Sequence, residues 1–427
     1  MIDGVIRDLK HEFLDGASRV TSSFDGETVW FECQDLELNP TIEAMASLWL
    51  APCIISGRNL RIEHPVCRTW YENALSIIDF LSDSWGTAKI ELSAEVRELP
   101  SQNADQKATA VCFSGGVDSF YTLNRSTSTK FLVSAQPFDL PSASEETHLA
   151  TRSRLVKVAQ AVGAQAVTIR TNVLQHPSYR THKLMDTHTG LLAAVGHFLA
   201  KHIGTLSIAP TFHKDDAEIV GGHYLLVPLY SSKNLQIVVP NAETNRRARL
   251  EGIVDWPVAQ ENLFVCFNKD GKNKNCGRCE KCVRTLLDLH ILGKLDKFEV
   301  FDKSIPIWEA IDGVNQVTWR ETYEEALKMP LDPRISSAIR RMMRRERLRV
   351  WQLEDAARYR RHVDEEFGKM KEGLENALHH YNLLQENHEK LLREYQAEAE
   401  SRSLRKGAKV FRRVMRMLSA RDERHTK

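Results

Sequence analysis

The chain has 427 residues, too many for one ordinary domain at roughly 150 residues each. It is 42% hydrophobic and 27% charged, which excludes a disordered chain, and its net charge of +1 excludes a global field that would recruit nucleic acid or membrane. The opening "MIDGVIRDLKHEF" scatters charges among its apolar residues, unlike a signal peptide, and no window nears the roughly 18 apolar residues of a membrane span, so a cytoplasmic location is expected.

Residues 1–107 read as an α+β module without a chemical motif. "ETVWFECQ" and "KIELSAEV" alternate like strands, and "TWYENALSIIDFLSDSW" carries apolar residues at helical spacing. The polar stretch 98–108 reads as a linker. From Thr109 the pattern changes. "TAVCF", "KFLVSA", "AQAVTIRT" and "TLSIAPT" are short apolar runs, with helices expected from Asp118, over 145–162 and over 186–202. This alternation predicts an α/β domain over 108–300 with a parallel sheet, whose ligands sit at the carboxyl ends of the strands. A helical basic connector follows over 301–349, and a coiled coil with a basic amphipathic tail over 350–427.

The turn "SGGVDS" lies at one of those strand ends. Gly115 and Gly116 can take positive φ and let backbone N–H groups approach a ligand, and the helix that follows adds its positive end. Ser114 and Ser119 can donate to phosphate oxygens; Asp118 suits Mg²⁺ or a helix cap. A bare Gly-Gly pair with a serine cap occurs in many α/β turns; the full hexapeptide is more specific. It is neither a Walker loop nor a dinucleotide fingerprint.

Cys266, Cys276, Cys279 and Cys282 are spaced C-x9-C-x2-C-x2-C, a pattern for four thiolates on one tetrahedral ion. A structural Zn²⁺ is the expectation, with an iron–sulfur cluster as the alternative. Cys112 reads as core, while Cys33, Cys53 and Cys67 carry no spacing signal.

The hexapeptide Ser114, Gly115, Gly116, Val117, Asp118, Ser119 resembles the pyrophosphate loop of the PP-loop ATP pyrophosphatases, the adenine nucleotide α-hydrolase-like fold. Joined to the four cysteines, it looks like the 7-cyano-7-deazaguanine synthase family over roughly 108–292. The resemblance implies ATP and Mg²⁺ at Ser114–Ser119, adenine against the backbone of Val133 or its neighbours, and a structural zinc. It implies adenylation of an acceptor carboxylate, attack by an amine, and release of AMP and pyrophosphate. Residues 1–107 and the helical tail are outside the minimal synthase, and the chain looks more like the divergent relatives of defence and surface-polysaccharide loci, some of which act on other acceptors, including protein. A tRNA-modifying PP-loop enzyme and a non-catalytic nucleotide-binding subunit are the alternatives.

His213, Lys214 and Asp215 follow the fourth apolar run, where Lys214 is expected to stabilise charge developing on phosphate. His182, Lys183, Asp186 and His188 hold a comparable place, and Arg246 and Arg247 are candidates for the leaving pyrophosphate, or a solvated helix face. Phe367, Met370, Leu374, Ala377, Tyr381, Leu384, His388, Leu391 and Tyr395 form an a/d seam, which predicts self- or partner association through 367–395. Within 402–418, Leu404, Ala408, Phe411, Met415 and Leu418 share a stripe ringed by Lys406, Lys409, Arg412, Arg413 and Arg416, suited to an anionic surface or to docking on its own coiled coil.

Overall fold

The computed structural model describes residues 3–100, 107–136, 144–215, 219–267 and 274–422. An antiparallel meander starts the chain: β1 (Gly4–Leu14), β2 (Ala17–Phe24) and β3 (Glu27–Cys33). Short strands follow as β4 (Leu60–Ile62), β5 (Val66–Cys67), β6 (Leu92–Ser93) and β7 (Val96–Arg97). The later strands are β8 (Ala108–Cys112), β9 (Thr129–Gln136), β10 (Gln165–Thr171), β11 (Ile203–Ser207) and β12 (Gln236–Val238). The helices are α1 (Ile42–Ser56), α2 (Arg68–Trp85), α3 (Val117–Arg125), α4 (Glu145–Ala161), α5 (Pro177–Arg180) and α6 (Leu184–Phe198). They continue as α7 (Arg246–Glu251), α8 (Pro257–Asn262), α9 (Glu280–Ile291), α10 (Ile307–Asp312), α11 (Arg320–Ala326) and α12 (Pro333–Asp422).

The last five strands are parallel in the order β12-β11-β8-β9-β10. Strand order reverses between β8 and β11, so the crevice beyond their carboxyl ends is the place where open α/β sheets bind ligands. Alternate residues serve two cores. Ala110, Cys112, Phe131 and Val133 join one apolar cluster with α6 and α1. Val111, Phe113 and Leu132 join another with α3, α4 and Cys266 and Cys282. Helices therefore cover both faces, as the alternating pattern predicts.

The linker expected over 98–108 does not separate two sheets. β3 pairs antiparallel with β10, and the meander with β4 and β6 completes one sheet of ten strands. Asn172 fastens the join, accepting from Trp30 N–H at 2.9 Å and donating to the Thr28 carbonyl at 2.9 Å. Asp35 fastens it again, accepting from Arg152 and from Thr168 N–H. Residues 101–106 of that stretch lie outside the described residues.

α1 is buried on every side from Ile42 to Ile54. Its uniform apolar character has no helical period, so pattern alone does not announce it. It packs so closely on α6 that a Cβ at Gly190 would lie 2.4 Å from the Ser47 carbonyl oxygen.

Two compact units divide the chain, Met1–Glu346 and Arg347–Lys427. In the first, Ile335, Ala338, Ile339, Met342 and Met343 of α12 pack with α9, α10 and α11. The basic connector is partly neutralised, since Arg341 and Arg345 both engage Asp312. In the second, α12 is helical to Asp422 and exposes Phe367, Met370, Leu374, Tyr381, Leu384 and Leu391. Lys406, Lys409, Phe411, Arg412, Arg413 and Arg416 are exposed as well; the side chains of Tyr395, Leu404, Ala408, Met415 and Leu418 lie outside the described residues.

Gly190→Ala should cost about 2 kcal/mol or more, because the new methyl group has no room without parting α1 from α6. A lowered thermal midpoint beside an unchanged one for an exposed control such as Gly368→Ala would verify this.

Candidate functional site

The loop between β8 and α3 is built from backbone. Phe113 N–H continues the pairing past β8 by donating to the Val133 carbonyl at 2.8 Å. Gly115 has φ +82°, where a side chain would be strained, and its carbonyl accepts from Phe264 N–H at 2.8 Å. Gly116 is extended, with φ −82°, so only the first of the two glycines uses the left-handed region. As the helix cap, Gly116 supplies no side chain to the first amides of α3. Those amides, unpaired by helix geometry, are a ready anion site. Ser114 Oγ accepts from Gly116 N–H at 3.3 Å, and Ser119 Oγ donates to the Gly116 carbonyl at 3.0 Å. Val117 is fully buried and pins the first turn.

Asp118 is the acidic residue of that turn, and two arginines reach it. Arg246 Nη1 donates to Oδ2 at 3.1 Å and Arg249 Nη1 to Oδ1 at 2.9 Å. Arg249 is 3% exposed and also donates to the carbonyls of Pro210 and Phe212, just beyond β11. The loops after β8 and β11 are thereby joined across the crevice. Burial raises the Asp118 carboxyl, but Arg246 and Arg249 outweigh it and hold the group below the usual carboxylate range. Arg246 also donates to Thr285 Oγ1 at 3.3 Å, which brings α9 to the site. Next to Thr285 on α9, the buried Arg284 lies over Trp319, and Trp319 packs on Phe212. Burial and the like charge of Arg246 push the Arg284 guanidinium down to about 10, still charged at neutral pH.

The four cysteines converge. Their sulfurs all lie within 4.8 Å of one another, with Cys266–Cys279 and Cys276–Cys282 both at 3.9 Å. A tetrahedral ion with Zn–S bonds of about 2.3 Å requires sulfurs about 3.8 Å apart, so the set can hold a metal such as zinc. Main-chain N–H groups of Arg278 and Cys279 donate to Cys276 Sγ. Gly277 has φ +69°, and a Cβ there would lie 2.0 Å from the Asp302 carbonyl oxygen. Asn275, fully buried, holds the knuckle together. Its Oδ1 accepts from Val265 and Cys266 N–H, and its Nδ2 donates to the Leu263 and Val300 carbonyls. Since Phe264 bonds Gly115, the cysteine knuckle is linked to the loop through Asn275 and Phe264. Between the knuckle and residues 313–318 lies a cleft of about 350 Å³, lined by Phe267, Cys279, Glu280, Asn315 and Thr318 among others.

Other expected site residues scatter. Val133 is buried within the sheet, and its carbonyl accepts from Phe113 N–H. Lys214 is exposed, its N–H bonded to the Ala242 carbonyl, and no hydrogen bond or ion pair joins it to the loop among the described residues. His213 meets the Glu243 carbonyl. Arg247 turns away from Asp118 to the buried Asp288, at 2.8 Å, whereas Arg246 faces the loop. His188 is held through Nδ1 by the Leu184 and Met185 carbonyls and presents Nε2 to Thr211 at 3.4 Å. Arg249, Arg284 and Asn275 were not singled out by any motif; only the density of arginines in "NRRARLEG" hinted at the first. No family model and no curated protein matches the chain.

Purified protein is expected to carry about one metal ion per chain. Cys282→Ser should abolish it and lower the thermal midpoint by several degrees, because a fully buried ligand is lost from a site that ties α9 to the loop. Elemental analysis together with thermal melting would check both.

Proposed function

We propose that the chain is an ATP-dependent adenylating enzyme of the PP-loop type, acting on an acceptor carboxylate. One observation carries the reading: the uncapped N-terminus of α3, framed by Ser114–Ser119, lies at the strand-order reversal with Arg246 and Arg249 against it. An amide-lined turn with positive charge close by favours the pyrophosphate end of a nucleotide.

In this reading the Ser114–Ser119 amides and hydroxyls bind and orient the β- and γ-phosphates. An acceptor carboxylate oxygen attacks the α-phosphorus, the bond to the β-phosphate oxygen breaks, and pyrophosphate leaves. An amine then attacks the acyl carbon and AMP departs. Mg²⁺ held by Asp118 would neutralise phosphate charge, and zinc on the four cysteines would be structural, with every coordination position filled by sulfur. The cleft beside Glu280 offers room for the acceptor.

Two features favour this over sulfur transfer to tRNA. Cys112, two residues before the loop, is a core thiol that burial pushes up to about 12, poorly suited to attack. The four knuckle sulfurs lie within 4.8 Å of one another, which suits shared metal ligation rather than a free nucleophile. The exposed seam on α12 supports self- or partner association through 367–395.

Incubation with ATP and Mg²⁺ plus a carboxylate acceptor and an amine (carboxy-deazaguanine and ammonia first, then cell extract) should yield AMP and pyrophosphate, not ADP. Asp118→Asn should lower turnover by about 10²–10³-fold while keeping the metal bound. ADP as product, or an unaffected variant, would overturn the reading.

A further inference from the structure

The arginines around Asp118 have more donors than that carboxylate can use. Arg246 and Arg249 each give it one hydrogen bond. Among the described residues, Arg249 Nε, and Nε and Nη1 of Arg284, have no hydrogen-bond partner, although both side chains are 3% exposed. The acid nearest Arg284 is Glu280, and at 3.6 Å from Nε it is beyond hydrogen-bond reach. A buried, unbonded guanidinium N–H is costly. Three such donors, on two arginines whose charges act on the Asp118 carboxyl, fit an anion with more oxygens than one carboxylate offers.

We infer that Arg246, Arg249 and Arg284 form an oxyanion site for the terminal phosphates of a nucleotide, and that Asp118 is its placeholder. The inference rests on the reading that Ser114–Ser119 bind a pyrophosphate group. Without phosphate, Asp118 accepts from Arg246 and Arg249 and keeps the two guanidiniums in place across the crevice. When pyrophosphate enters, its oxygens take over those bonds and reach the unused donors of Arg249 and Arg284. The freed carboxylate then turns to a divalent cation. Two N–H···O bonds to carboxylate are exchanged for at least two to phosphate. Anion and cation binding are therefore coupled, each favouring the other through one side chain.

The test is calorimetric titration of full-length protein with inorganic pyrophosphate, in EDTA and in Mg²⁺. In EDTA, Asp118→Asn should bind at least about tenfold tighter than wild type, since the competing charge is gone while the shape is kept. Mg²⁺ should tighten wild type and leave the variant unchanged. Arg284→Gln should weaken binding about tenfold in both conditions, and Arg284→Lys, which keeps the charge and covers the possibility that the glutamine variant does not fold, by less. Equal or weaker binding by Asp118→Asn in EDTA would overturn the placeholder role. Unaltered binding by both Arg284 variants would remove Arg284 from the site. Pyrophosphate bound well by wild type but insensitive to Asp118 sinks the exchange and leaves the nucleotide reading standing. No binding by any variant in either condition sinks both.

Discussion

The ion pairs from Asp118 to Arg246 and Arg249 tie several elements of the molecule together at the crevice. Asp118 sits on α3, directly after β8. Arg249 reaches it from α7 while bonding the carbonyls of Pro210 and Phe212 after β11. Arg246 reaches it from the same helix while bonding Thr285 on α9. Two strands and three helices thus converge on one carboxylate, which stays ionised because the guanidiniums outweigh its burial. A charge-assisted contact in a partly dry crevice has the strength to fix such a geometry, since hydrogen bonds to charged groups contribute about 1.5–3 kcal/mol each.

The cysteine knuckle serves the same geometry from the opposite core. Cys266 and Cys282 are buried with Val111, Phe113 and Phe120, so the knuckle is packed against the strand that delivers the loop. Asn275 spends both ends of its amide on four main-chain groups and so fixes residues 263–266. Phe264 lies inside that fixed segment, and its N–H holds Gly115 in the left-handed conformation. A metal here would organise the Ser114–Ser119 turn from outside it, as a structural site with four sulfur ligands does.

The N-terminal hundred residues contribute through the sheet. The meander extends the parallel sheet past β10, and α1 fills the space against α6. Trp49 of α1 stacks on Phe24 of β2, and Phe31 of β3 meets Phe198 of α6, so one core spans both halves. Removing the segment would expose that core and an edge of the sheet.

What the sequence by itself determined is local. "SGGVDS" after an apolar run specifies a backbone-lined turn opening a helix, because few other residues permit that approach. The alternation of short apolar runs and helical segments specifies a largely parallel α/β sheet. Four cysteines within 17 residues leave little freedom but to meet, and they do. The tertiary structure decided what depends on distance along the chain. Arg249 and Arg284 are separated from Asp118 by more than a hundred residues, and nothing in their neighbours sets them apart from solvated arginines. Arg246 and Arg247 are adjacent in sequence, yet helix geometry turns one to the loop and the other to Asp288. The junction at residue 107 looks like a linker because it is polar, but a strand pairs by its backbone, which any sequence carries. Whether β3 joined β10 therefore depended on the register and packing of both, and only the folded chain contains that information.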